Sequence, residues 1–216
     1  MNRSGISGLS VFSGLEAGRL NSLATPLESV SAVNSRRSPF SSVDETMIID
    51  LSSARSPKVA GTIPSKLFSG SLYEISETEL LAINLNSEGS VIFRLFDVSD
   101  PGKPSVASEY TLGSECYKLS SSDVRSIMIV EQEAIFAIPV VMNDKEKGTD
   151  ISAYAVFDVS GGKITFSGLC RHDESYVSDA AVRAAYNKSA VYTVSGKKIV
   201  AFSIDSFEKI SDCEIR

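Results

Sequence analysis

The sequence contains no tryptophan, one histidine and three cysteines among its 216 residues. The cysteines, Cys116, Cys170 and Cys213, are odd in number and form no C-x-x-C pair, which argues against a zinc ribbon or a thioredoxin-type motif. We expect each of them to be a small apolar side chain. A disulfide between two of them remains an alternative, because the redox compartment decides whether one forms.

Long apolar runs and an excess of basic residues are also missing. The longest apolar stretches, such as residues 134–142, have the length of a strand, and none approaches the ~20 residues that cross a bilayer. The net charge is −6 and the pI is about 4.9. Nucleic acids and anionic membranes are bound through basic surfaces. We therefore expect neither a membrane span nor a nucleic-acid partner.

The sequence also lacks the motifs of common enzymes. It has no G-x-S-x-G nucleophile elbow and no Gly-rich phosphate loop. The single histidine, His172, lies in R-H-D-E-S, which we interpret as a polar turn after a strand, and no Ser or Cys motif accompanies it. The sequence therefore assigns no catalytic, cofactor-binding or metal residue, and the expectation leans towards a protein without enzyme activity.

What the sequence does contain is a repeated phrase with an aspartate after a run of apolar residues. Asp50 and Asp97 are 47 residues apart (97 − 50), and the phrases around them remain in register to the following Val-Ala pair. A repeat of this length indicates a propeller or another repeat array. The four copies are I-D-L-S-S-A-R-S-P-K-V-A at 49–60, F-D-V-S-D-P-G-K-P-S-V-A at 96–107, F-D-V-S-G-G-K-I at 157–164 and a degraded F-S-I-D at 202–205.

Short β-rich runs separated by turn residues follow one another from residue 46 onwards, and no window has a helical period. Four-stranded antiparallel units of about 40–50 residues are typical of propeller blades. We therefore predict an all-β chain of about 3.5 to 4 blades in residues 43–216, the C-terminal part of a larger propeller. The units are predicted at about 66–112, 117–171 and 177–216, with half of another at 46–63.

The Ser/Gly-rich residues 1–42 form a separate N-terminal segment. Their two apolar stretches, 9–12 and 30–33, either supply strands to the first blade or belong to irregular structure. A propeller with half a blade leaves apolar faces uncovered. We therefore expect this segment to complete the first blade, or the chain to associate with a second copy or with a missing N-terminal half.

The repeated aspartates Asp50, Asp97 and Asp158 each stand at the predicted end of a strand. An Asp followed by x-Ser folds its carboxylate back onto the next backbone amides in an Asx turn. We interpret these residues as structural. The alternative is a catalytic or metal-binding role, which repetition at successive strand ends disfavours.

The segment N-D-K-E-K-G-T-D at 143–150 is predicted to be a loop insertion, because the last unit has only Ser195-Gly196 at the equivalent place. Interspersed lysines and the absence of EF-hand spacing favour a solvated loop over a calcium site. Loops carry recognition in this architecture, so this segment is the first place to seek a binding site. Its oxygen donors are Asn143, Asp144, Glu146, Thr149 and Asp150.

Two N-glycosylation sequons are present, Asn2-Arg3-Ser4 and Asn187-Lys188-Ser189. Motifs this short arise by chance, and from sequence alone they have meaning only in a eukaryotic, secreted chain.

Several phrases, in this order, resemble the bacterial and archaeal secreted proteins with a C-terminal β-propeller domain. They are M-I-I-D-L-S-S-A-R-S-P-K-V-A, L-F-D-V-S-D-P-G-K-P, A-I-F-A-I-P-V-V, Y-A-V-F-D-V-S and Y-T-V-S-G-K-K-I-V-A-F-S-I. The resemblance covers about residues 42–216 and implies an extracellular or cell-envelope location, although no signal peptide is visible in this chain. No activity is established for that family, so the resemblance implies no catalytic residue and no cofactor.

Architecture and resemblance together favour a non-enzymatic propeller domain that binds or scaffolds a protein or glycan partner. The alternative is an extracellular hydrolase or lyase that uses acidic residues in the propeller channel.

Overall fold

A computed structural model describes residues 10–12, 32–36, 45–50, 55–64, 67, 71–85, 90–113, 116–119, 126–144, 148–175 and 182–215. The chain divides into two compact units. The first comprises residues 1–85 and 92–109, and the second comprises residues 86–91 and 110–216.

The first unit contains two four-stranded sheets, apart from the ends of two strands of the second sheet. In each of them the strands are neighbours in chain order. Sheet 1 consists of β1 (Ser10–Phe12), β2 (Ala32–Arg36), β3 (Glu45–Asp50) and β4 (Lys58–Ile63). Sheet 2 consists of β5 (Ser71–Ser76), β6 (Glu79–Leu85), β7 (Val91–Asp97) and β8 (Ser105–Thr111).

The second unit contains sheets 3 and 4, in which β10 to β13 and β14 to β17 are neighbours in chain order, while β9 pairs with β11. Sheet 3 consists of β9 (Cys116–Leu119), β10 (Met128–Val130), β11 (Ile135–Asp144), β12 (Thr149–Asp158) and β13 (Thr165–Ser175). Sheet 4 consists of β14 (Arg183–Asn187), β15 (Ala190–Val194), β16 (Lys198–Ser203) and β17 (Lys209–Glu214).

The all-β prediction and its four-stranded units are confirmed. The repeated phrase lies between the third and fourth strand of each sheet, as after β7 and β12. Two strands come from residues 1–42, and of these β1 pairs with β2 in parallel, whereas β2 and β3 pair in antiparallel register.

Sheet 3 has a fifth strand that the sequence did not predict. β11 is 10 residues long, so one of its edges accommodates two short strands. β10 pairs with residues 135–137 of β11, and β9 pairs with residues 140–142. The fifth strand therefore follows from the length of β11.

The third strand of sheet 2, β7, is buried on both faces. In β7 the side chains of Val91, Phe93 and Leu95 are buried on one face, and Phe96 is buried on the other. Each unit has its own core, because buried side chains of two sheets pack together within it. One core cluster includes Ile48, Ile63, Leu72, Leu80 and Phe96, and the other includes Val130, Tyr154, Val156, Val191 and Phe202.

The outer strands β4 and β13 carry an irregularity at the same place, opposite the last residues of the third strand. The register shifts between Ile48 and Ile49 in sheet 1 and between Val156 and Phe157 in sheet 3. A glycine pairs just beyond each shift, and the turn of the following sheet lies directly against it. A Cβ added to Gly61 would overlap the carbonyl oxygen of Pro101, and a Cβ added to Gly168 would lie 2.6 Å from the Phe207 ring.

Candidate functional site

Two of the repeated aspartates, Asp97 and Asp158, build turns as predicted, whereas the turn predicted after Asp50 lies outside the described residues. The Asp97 carboxylate accepts a hydrogen bond from the Ser99 backbone N–H (2.8 Å), and that of Asp158 accepts one from the Ser160 backbone N–H (3.0 Å). The Ser160 hydroxyl also donates to Asp158 at 2.6 Å. The hydrogen bond from the Ser99 backbone lowers the pKa of the Asp97 carboxyl, because it stabilises the charged form. Both carboxylates are therefore engaged in hydrogen bonds within their own turns.

The degraded fourth phrase keeps the same turn with a different side chain. Ser203 stands where the other copies have aspartate, and its hydroxyl accepts from the backbone N–H of Asp205 at 3.2 Å. A serine replaces the aspartate without loss of the turn because a hydroxyl makes the same local hydrogen bond more weakly. In the first copy, Asp50 lies 3.4 Å from the Lys58 ammonium.

The interpretation of His172 as a residue of a polar turn is wrong. β13 runs through Ser175, so His172 lies within a strand, and its side chain is fully buried. Its Nδ1 lies 2.7 Å from the Thr193 hydroxyl in sheet 4. The charged residues around His172 suggest a turn in sequence, but the long pairing of β13 with β12 continues past them. A fully buried imidazole held by a threonine is part of the core, not an accessible general base.

The two ends of the segment at 143–150 extend the strands β11 and β12, where the sequence predicted a loop insertion. β11 and β12 stay paired as far as Asp144 with Thr149, and the Asn143 amide donates to the Asp150 carboxylate at 3.3 Å. Their buried residues end at Met142 and resume at Ile151, while Asn143 and Thr149 are exposed. We call residues 143–150 the long hairpin. Of its predicted oxygen donors, Glu146 lies outside the described residues, as does the side chain of Asp144.

The equivalent turn of sheet 4 joins shorter strands, of 5 and 6 residues. The Ser195 hydroxyl accepts from the backbone N–H groups of Lys197 (3.1 Å) and Lys198 (3.2 Å), which closes the chain directly from β15 into β16. The two turns occupy the same place in their sheets, between the second and third strands. Among the described second and third strands of the four sheets, those of sheet 3 are the longest, at 10 residues each. The long hairpin therefore extends beyond its sheet's core, as recognition segments on a scaffold commonly do.

All three cysteines are free thiols. Cys116 and Cys170 are buried and Cys213 is exposed. Burial raises the pKa of the Cys170 thiol to about 12. A thiol with such a pKa is unreactive near neutral pH, because the thiolate is the nucleophile. The prediction of small core residues is confirmed for two of the three.

Two tyrosines join sheets 3 and 4, and sequence analysis did not identify either of them. The buried Tyr154 hydroxyl lies 2.9 Å from the carbonyls of both Ser126 and Val182, just before the first strands of the two sheets. The Tyr186 hydroxyl donates to the Glu133 carboxylate at 2.8 Å. Burial raises the pKa of Tyr154, and the hydrogen bond to Glu133 raises that of Tyr186. Their partners lie about 28 and 53 residues away in sequence, beyond the reach of local pattern.

In the part of the chain that the structure describes, no three His, Cys, Asp or Glu side chains come together as metal ligands. Within the same residues, no helix has the length and apolar character needed to cross a bilayer.

Comparison with known proteins agrees with this architecture. The profile of the beta propeller domain family matches residues 39–207. An uncharacterised protein of Archaeoglobus fulgidus is 25% identical over 177 residues, which cover 82% of this chain and 25% of that protein. An uncharacterised protein of Methanocaldococcus jannaschii is 25% identical over 156 residues, which cover 72% of this chain and 22% of that protein. The chain thus spans about a quarter of the length of these relatives.

Proposed function

The chain belongs to the beta propeller domain family, and from this premise we propose that it is a non-enzymatic module that binds a protein partner through the long hairpin. The supporting observation is that sheet 3 extends its second and third strands to 10 residues each, while the equivalent strands of sheet 4 have 5 and 6. Of the added residues, Asn143 and Thr149 are exposed where the core ends.

The composition of the long hairpin favours a protein over a glycan. It contains both acidic and basic residues and no aromatic one. Exposed mixed charges suit a polar protein surface, because complementary charges orient two proteins on encounter. Sugar-binding surfaces commonly present an aromatic ring to the apolar face of the sugar, and this hairpin has none to offer.

Site-specific photo-crosslinking in the native host tests this proposal. A photoreactive residue is placed at Thr149 in the long hairpin, and at Lys197 in the equivalent tight turn of sheet 4 as the matched control; both positions are exposed. We expect a protein adduct of one defined mass from position 149 only. Equal adducts from both positions, or none from either, would contradict the proposal. Binding to a glycan array that Asp150→Ala abolishes would replace the protein partner with a glycan.

The second candidate function is an extracellular hydrolase or lyase that uses acidic residues. Its motivation is the set of acidic side chains in the same segment, among them Asp150, which is half-buried and already accepts a hydrogen bond from Asn143. A panel of glycans and phosphate esters decides between the two candidates. Turnover by the wild type that Asp144→Asn and Asp150→Asn remove would establish the enzyme, whereas an inert wild type supports the binding module.

An extracellular or cell-envelope location is part of the same proposal, and it is supported by the resemblance to secreted propeller proteins. Fractionation of the native host, followed by detection of the chain in cytosol, envelope and medium, tests it. Recovery from the cytosol alone would refute it.

A further inference from the structure

We propose that Asn187 is a site of N-linked glycosylation, which rests on the proposed location outside the cytosol and on a host with a transferase that modifies this sequon. Sheet 4 presents the sequon Asn187-Lys188-Ser189 at the turn from β14 into β15, where Asn187 pairs with Ala190. All three sequon residues are exposed. Glycosylation acceptors lie on surfaces of this kind, since the attached sugar is bulky and soluble.

The hydrogen bonds of Asn187 are compatible with an attached sugar. Its side-chain oxygen accepts from the backbone N–H groups of Ser189 (2.9 Å) and Ala190 (3.0 Å), and this oxygen is unchanged by the modification. Its Nδ2 donates to the Tyr192 hydroxyl at 3.0 Å, which uses one of its two N–H bonds. A glycosylated amide retains one N–H, so Nδ2 remains a hydrogen-bond donor. The turn therefore keeps its geometry when the sugar is present.

The transfer balances with a lipid-linked oligosaccharide as the donor. The bond that forms joins Nδ2 of Asn187 to the anomeric carbon of the first sugar. The bond that breaks joins that carbon to the phosphate oxygen of the donor, and the lipid phosphate leaves. The proton lost from Nδ2 passes to a base of the transferase. The chain itself contributes the acceptor amide and the hydroxyl of Ser189, which the sequon requires.

Peptide mapping by mass spectrometry, on the full chain purified from its native host, tests the proposal. We expect the peptide that carries Asn187 to gain the mass of a glycan. Ser189→Ala should abolish the gain, because it removes the required hydroxyl while Asn187 remains. Ser189→Thr should preserve it.

The Ser189 pair separates loss of the sequon from loss of folding, because both variants alter the same exposed position. An unmodified Asn187 peptide in chain recovered from the envelope or medium would overturn this inference and leave the proposed location intact. Recovery only from the cytosol would refute the location on which the inference rests. A gain confined to the peptide carrying Asn2 would also overturn it.

Discussion

At the scale of single residues, the repeated aspartates act through hydrogen bonds to their own turns. Asp97 and Asp158 each hold a backbone N–H two residues ahead, and Ser203 does the same with a hydroxyl. The sequence predicted this role because Asx turns are local. It did not predict the burial of His172 or the place of Tyr154, since both depend on partners in another sheet.

Substitution of Asp97 distinguishes a structural role in its turn from a catalytic or metal-binding role. Asp97→Asn keeps an oxygen that accepts from Ser99, so we expect almost unchanged thermal stability, whereas Asp97→Ala should lower the melting temperature measurably. Because the bond to Ser99 lowers the pKa of Asp97, its contribution is present at neutral pH and is lost as the pH falls through that pKa. Equal losses in both variants would point instead to a role for the charge itself.

Removal of the Tyr154 hydroxyl should destabilise the second unit. Tyr154→Phe leaves two buried carbonyls without this donor, and we expect a loss of about 1–3 kcal/mol in the free energy of unfolding. Tyr186→Phe is the control, because its hydrogen bond to Glu133 is exposed, and it should change little. Urea unfolding measures both. Similar effects of the two substitutions would show that Tyr154 does not join the sheets as described.

The buried Cys170 thiol should lower the free energy of unfolding at alkaline pH. Burial raises the pKa of its thiol from 9.0 to about 12 in the folded chain, so above pH 9 the unfolded chain loses a proton that the folded chain retains. The free energy of unfolding therefore falls as pH rises from about 9 towards 12. In Cys170→Ala we expect a shallower fall between pH 8 and about 10 than in the wild type. Identical slopes in urea titrations would contradict the burial of this thiol.

At the scale of elements, the pairing of strands was predictable and their lengths were not. Alternating apolar residues and turn phrases located the third and fourth strands of each unit, because these signals lie within one strand or one turn. β9 was missed because it is short, and the paired strands of the long hairpin were missed because their residues are polar. Both become strands by pairing with β11. Sheet pairing overrides local propensity in both places.

The glycine contacts between neighbouring sheets give a test at this scale. A Cβ on Gly61 would overlap the Pro101 carbonyl, so Gly61→Ala should force sheets 1 and 2 apart locally and cost about 1–3 kcal/mol. Gly196→Ala is the matched control, because nothing lies within 4 Å of the added atom. Thermal unfolding of the two variants is the measurement. A stable Gly61→Ala variant would mean that the turn after β7 does not rest on β4.

At the scale of the whole molecule, four sheets share one strand order and one turn phrase, and the family profile covers 169 residues (207 − 39 + 1) of this repeat. The repeat could be recognised in the sequence because the same turn phrase follows the third strand of each sheet. The proposed binding role could not, since it rests on the long hairpin, whose paired strands a local sequence pattern did not reveal.

Hydrogen–deuterium exchange resolved along the chain tests the central claim that the repeated phrases mark equivalent corners of four β modules. We expect four separate stretches of slow exchange, at β2–β3, β6–β7, β11–β12 and β15–β16, with fast exchange in the turns after β7 and β12 and along the exposed strand β17. Slow exchange that runs without interruption through residues 98–104 and 159–164, or the absence of one of the four stretches, would contradict it.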